Sequence, residues 1–96
     1  MIVRISGEGQ YDLDDSATRK LEAMDKELTE ALHANQEQRF HHLLHQAIAF
    51  VRDSGKPVPH DQVVPSDVII PPEDVTMAEA QNFFSDEGNH MHPVSA

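Results

Sequence analysis

The 96-residue sequence contains no cysteine, which excludes a disulfide framework, a thiolate nucleophile and a cysteine metal site. It also lacks any run of about 18 apolar residues, so no segment reads as a membrane-spanning helix. The opening Met1-Ile2-Val3-Arg4-Ile5-Ser6 is interrupted at once by Gly7-Glu8-Gly9 and is too short for a secretory signal. The compartment these absences predict is the cytoplasm. Basic residues are scarce as well: seven Lys and Arg stand against 17 Asp and Glu, for a formal net charge of −10. All seven bases fall within residues 1–56, whereas residues 57–96 carry seven acids and no base. Neutralising nucleic-acid phosphates requires clustered Lys and Arg, and an anionic lipid leaflet attracts polybasic segments. Neither nucleic-acid binding nor direct membrane insertion is therefore expected. An acidic second half suits a basic protein partner.

The chain is long enough for one small domain. Ile2-Val3-Arg4-Ile5 is β-branched and apolar, Gly7 and Gly9 permit a tight connection, and Gln10-Tyr11-Asp12-Leu13 alternates, which together predict a β-hairpin. Asp14, Asp15 and Ser16 are helix-starting residues. From there Ala17, Leu21, Met24, Leu28, Ala31 and Leu32 form one helical stripe, with Glu22 and Lys26 as an i,i+4 pair off it. His33-Ala34-Asn35-Gln36 breaks the pattern, and Asn tolerates the left-handed conformation of a helix stop. A second stripe of Phe40, Leu43, Leu44, Ala47, Ile48 and Val51 ends at Ser54-Gly55-Lys56-Pro57. A short join predicts an antiparallel helical hairpin, the alternative being one continuous helix. Pro57-Val58-Pro59 must be extended, and Val68-Ile69-Ile70, bounded by Pro71-Pro72, is placed to add a third strand against the first. Thr76-Met77-Ala78-Glu79 matches a capping box opening a short helix through Phe83 and Phe84. The expectation is an α+β domain over residues 1–88, with residues 89–96 as a frayed tail.

No catalytic constellation emerges from the side chains. His41 and His45 share a helix face at the spacing of zinc-protease histidines, but His42 stands where the glutamate base of such a helix belongs. No third ligand is identified. They are the leading metal candidates, ahead of His90 and His92 in the tail, and a histidine-based metal-responsive regulator is an alternative reading. Gly7-Glu8-Gly9 has no following Lys-Ser/Thr and reads as a turn. Ser66-Asp67 has no Gly-x-Ser-x-Gly context, and Asp67 reads as a local turn former. Asp14/Asp15 and Glu73/Asp74 adjoin helix termini, where a capping or dipole role accounts for them. A non-enzymatic protein without a cofactor is expected.

The apolar surplus points elsewhere. Val63, Val64, Val68, Ile69, Ile70, Phe83 and Phe84 are seven large side chains on short elements, and adjacent residues of a short helix diverge by about 100°. Either this set closes over the helices or part of it faces a partner, a second copy of the chain included. Ile69, Ile70, Phe83 and Phe84 are the candidate contact residues.

Three segments carry a resemblance. The opening Met1-Ile2-Val3-Arg4-Ile5 with Gly7-Glu8-Gly9-Gln10-Tyr11, the segment Val64-Pro65-Ser66-Asp67-Val68-Ile69-Ile70-Pro71-Pro72, and Phe83-Phe84-Ser85-Asp86-Glu87-Gly88 resemble the PspAA family, small domains associated with phage shock protein A. The likeness runs over residues 1–88. It implies a cytoplasmic accessory of the PspA envelope-stress system, with no recognised catalytic site. The implied partner is a long, coiled-coil membrane-remodelling protein of the ESCRT-III-like class, through which the chain would lie at the inner membrane face. Relatives often have a Gly-Asp break between the two long helices, and here Ala34-Asn35 stands there.

Overall fold

In the computed structural model, which describes residues 1–62 and 64–83, chain order runs β1 (Ile2–Ile5), β2 (Gly9–Asp12), α1 (Asp15–His33), α2 (Glu37–Ser54), β3 (Lys56–Pro57), β4 (Val68–Ile70) and α3 (Met77–Phe83). The β1–β2 turn is closed by Glu8 N donating to the Ile5 carbonyl at 2.9 Å. It is made possible by Gly7 at φ 81°, a left-handed position that a side chain would strain. Asp14 caps α1, its carboxylate accepting from Ala17 N at 2.8 Å.

The helix stop is built as the sequence predicts. Asn35 adopts φ 54°, Asn35 N donates to the Leu32 carbonyl at 3.1 Å, and Gln36 N donates to the Ala31 carbonyl at 2.9 Å. This pairing ends a helix on a left-handed residue and satisfies its last carbonyls. With three residues between them, α1 and α2 pack against each other as a hairpin rather than continuing as one rod. The capping box of α3 is also formed, Glu79 N donating to Thr76 Oγ1 and Thr76 N to Glu79 Oε1, both at 3.1 Å.

The sheet order is β3-β2-β1-β4, with β1 and β4 parallel and the other neighbours antiparallel. Val3 and Ile5 align with Val68 and Ile70, so these four residues share one face. That face carries the core: Val3, Ile5 and Ile70 are buried with Leu21, Leu28 and Leu32 of α1 and Phe40, Leu44, Ile48 and Val51 of α2. Val75 and Ala80 close the end beside α1. Ile2, Arg4, Gln10 and Ile69 occupy the opposite, outer face, because successive strand residues alternate.

The chain between β3 and β4 must pass from one edge of the sheet to the other, and its described residues, 58–62 and 64–67, form a strap over this outer face. Gln10 holds the strap at mid-sheet, its amide donating to the Val64 carbonyl at 2.9 Å and to Ser66 Oγ at 2.6 Å. Ser66, 8% exposed, is thereby buried with a partner. Asp67 departs from the sequence expectation. Its carboxylate accepts from Ile2 N at 2.8 Å while its own N–H donates to the Ile2 carbonyl. Asp67 therefore anchors β4 to β1, a bond across 65 residues instead of a local turn.

Both margins of the sheet end in proline. Val58 N donates inward to the Gln10 carbonyl, so Pro57 takes the outward position of β3. Ser6 N donates to the Ile70 carbonyl, so Ile69 and Pro71 are the outward positions at β4. Proline has no N–H to offer there.

Candidate functional site

The sequence-derived contact residues separate once placed. Ile70 is fully buried beneath the helices, so it belongs to the core and is unavailable as a surface contact; its parity with Ile5 in the parallel register explains this. Ile69, one residue earlier, lies half-buried on the outer face opposite Arg4. Phe84 and the side chain of Phe83 lie outside the described residues, as do Val63 and the segment 89–96.

The two histidines also part company. His41 is half-buried, its ring edge-on to Phe40 with centroids 5.6 Å apart. His45 is exposed and bonds Glu73, Nδ1 to Oε1 at 2.9 Å. A carboxylate can only accept, so the proton of this bond sits on Nδ1. Among the described residues, no group of three or more His, Asp or Glu is arranged to hold a metal ion. Glu73 thus departs from the helix-terminus role expected of it, since Thr76 and Glu79 open α3 and Glu73 reaches α2 instead.

Around Glu73 lies an open cleft of about 300 Å³. It forms where the β1–β2 turn, the last turns of α2 and the β4–α3 link converge. Ile5 and Ile48, both buried, form its base, and Glu8, Arg52, Glu73 and Asp74 line it. Arg52 grips Glu8 with a planar fork: Nε donates to Oε2 at 2.9 Å and Nη2 donates to Oε1. Tyr11 adds a third bond, its hydroxyl donating to Glu8 Oε2 at 2.7 Å. The Arg52 bond, followed by that from Tyr11, holds the Glu8 carboxyl down at about 2. The same carboxylate raises the Tyr11 hydroxyl and pushes the Arg52 guanidinium further up.

The charge left over decides what the cleft can attract. Arg52 is matched by Glu8; Glu73, which accepts from His45, and Asp74 form an acidic rim beside an apolar base. Such a rim favours a cationic side chain. The Glu8–Arg52 pairing, across 44 residues, carries no sequence signal. Glu73 and Asp74 are legible only as members of the acidic second half.

A mixed four-stranded sheet backed on one face by a helical hairpin and crossed on the other by a strap defines a small α+β domain. No helix among its described residues is long and apolar enough to cross a membrane. The family model for PspAA, described as PspA-Associated protein, matches residues 1–91, and the chain belongs to this family. Comparisons with curated proteins and with solved structures give no match.

Proposed function

We propose that the chain is a non-enzymatic accessory protein of the phage-shock envelope-stress response, which binds PspA and modulates its assembly at the membrane. The family match over residues 1–91 is the observation that carries this reading. The partner is a coiled-coil membrane-remodelling protein, and the chain reaches the inner membrane face from the cytoplasm through it. The distribution of charge supports a mode of engagement. An acidic chain with Glu73 and Asp74 on an open rim steers toward basic stretches of a long helix, and Ile69 on the outer face supplies apolar contact.

The test is calorimetry of the purified chain with purified PspA at low and high salt, repeated with Glu73→Gln/Asp74→Asn. Binding at low salt, with at least a several-fold loss at high salt and in the variant, is expected for a contact steered by rim charges. Absence of binding at low salt refutes the assignment. Binding that ignores both salt and variant refutes the acidic-rim mode.

A further inference from the structure

Beneath the strap lies a second recess, of about 210 Å³, that the acidic cleft does not account for. Its walls are Val58, Pro59 and Val64, and its polar lining includes Arg4, His60 and Gln62. The His60 ring lies over Gly9, with Cε1 3.7 Å from where a Cβ at that glycine would stand. Arg4 holds the centre of the outer face, flanked in register by Gln10 and Ile69. Among the described residues Arg4 makes no ion pair and no hydrogen bond, although the chain has 17 acids.

Of the acids near the recess, Asp61 on the strap is exposed and makes no ion pair among the described residues, and two others are engaged. Asp12 lies 3.5 Å from the N-terminal amine, and Asp67 is bonded to Ile2. The Gln10 amide is committed to the strap. An exposed guanidinium without a partner among the described residues, lining a recess with apolar walls and two further donor-bearing side chains, has the chemistry of a carboxylate receptor.

We infer that this recess binds one acidic side chain of a protein partner, its carboxylate on Arg4 and its methylenes against Val58, Pro59 and Val64. Charge selects a carboxylate over a phosphate: the net charge of −10 repels a dianion about twice as strongly as a monoanion. The recess, with the volume of a single side chain, is too small for a whole nucleotide. The site is separate from the acidic cleft and does not depend on the identity of the partner. With it, the chain offers one receptor for each sign of charge, which matches the mixed charges of a helix surface.

The experiment is a proton–nitrogen NMR titration of the full chain at fixed ionic strength with N-acetyl-glutamate N-methylamide, its glutamine counterpart and inorganic phosphate. The glutamate probe is expected to give saturable shifts at Gly9, Gln10 and Gln62, and the glutamine probe none. Arg4→Gln, on the outer face, is expected to weaken the glutamate probe at least about tenfold, as loss of a charge-assisted pair does. Equal shifts from the two amides, undiminished binding by Arg4→Gln, or tighter binding of phosphate than of glutamate would each overturn the assignment. The glutamine and phosphate arms read the wild-type chain and hold whatever the substitution does to folding. Because PspA takes no part, failure here is distinguishable from failure of the functional reading.

Discussion

Replacing Glu8 by Gln tests whether the fork from Arg52 fastens the β-hairpin to the end of α2. The Glu8 carboxyl is displaced from 4.5 to about 2 by Arg52 and Tyr11. At ~1.4 kcal/mol for each pH unit of displacement, the unscreened ceiling is ~3 kcal/mol. Solvent reduces it: the side chains of Arg52 and Glu8 remain 45% and 30% exposed, and exposed pairs are worth ~1 kcal/mol or less. The two-pronged geometry and the Tyr11 bond place this pair at the upper end of that range, so ~1 kcal/mol is expected. In a domain of this size such a loss lowers the melting temperature by roughly 4–8 °C.

The pH dependence supplies the sign. A carboxyl depressed in the folded state contributes stability that is complete above its unfolded value near 4.5 and disappears as pH falls through about 2. Thermal melts followed by circular dichroism should therefore show Glu8→Gln less stable at pH 7, with the deficit closing between pH 4.5 and pH 2. Carbon-detected NMR titration of the Glu8 carboxyl in the wild-type chain provides the direct reading, and Arg52→Met should return it toward 4.5. A deficit of equal size at both ends of the pH window, or a wild-type carboxyl titrating near 4.5, refutes the reasoning.

Two further substitutions probe the packing. A Cβ at Gly55 would stand 2.7 Å from the Val51 carbonyl oxygen and 2.8 Å from Tyr11 Cβ. Gly55→Ala must therefore shift the start of β3, and chemical denaturation should show a loss of about 1–3 kcal/mol. Ile70→Ala should cost about 2–5 kcal/mol, since it empties a fully buried site. Ile69→Ala should stay within about 1 kcal/mol while weakening PspA in the calorimetric assay; equal stability losses at the two positions would contradict the assigned strand parity.

The parts legible in the sequence are those whose causes lie within a few residues. Asp14, the stripe from Ala17 to Leu32 and the left-handed Asn35 define α1, and it runs over Asp15–His33. Thr76 and Glu79 announce a capping box, and its two bonds are present. Val68–Ile70 reads as a strand against β1 because β-branched residues lie between prolines, and it pairs there, in parallel. What escaped depends on groups distant along the chain. Neither Asp67 on Ile2 nor Arg52 on Glu8 has a local signature. The two-residue strand β3 exists only because β2 is beside it. Asp25, 5% exposed within α1, is equally silent, since an acid on a helix reads as surface until the packing is known. At the candidate surfaces, sequence reasoning found the apolar strand but could not tell Ile69 from Ile70. One step along a strand exchanges core for outer face, and only the register with β1 fixes which is which.

The prolines at Pro57 and Pro71 have a consequence for how this molecule meets others. A ladder of main-chain bonds accepts almost any extended peptide, so an open strand margin makes a protein promiscuous and prone to polymerise. Here a proline takes an outward position at each flank, so a visiting strand finds few donors to zip onto. Any stable liaison must be written in side chains, residue against residue, where a single substitution is enough to retune or abolish it.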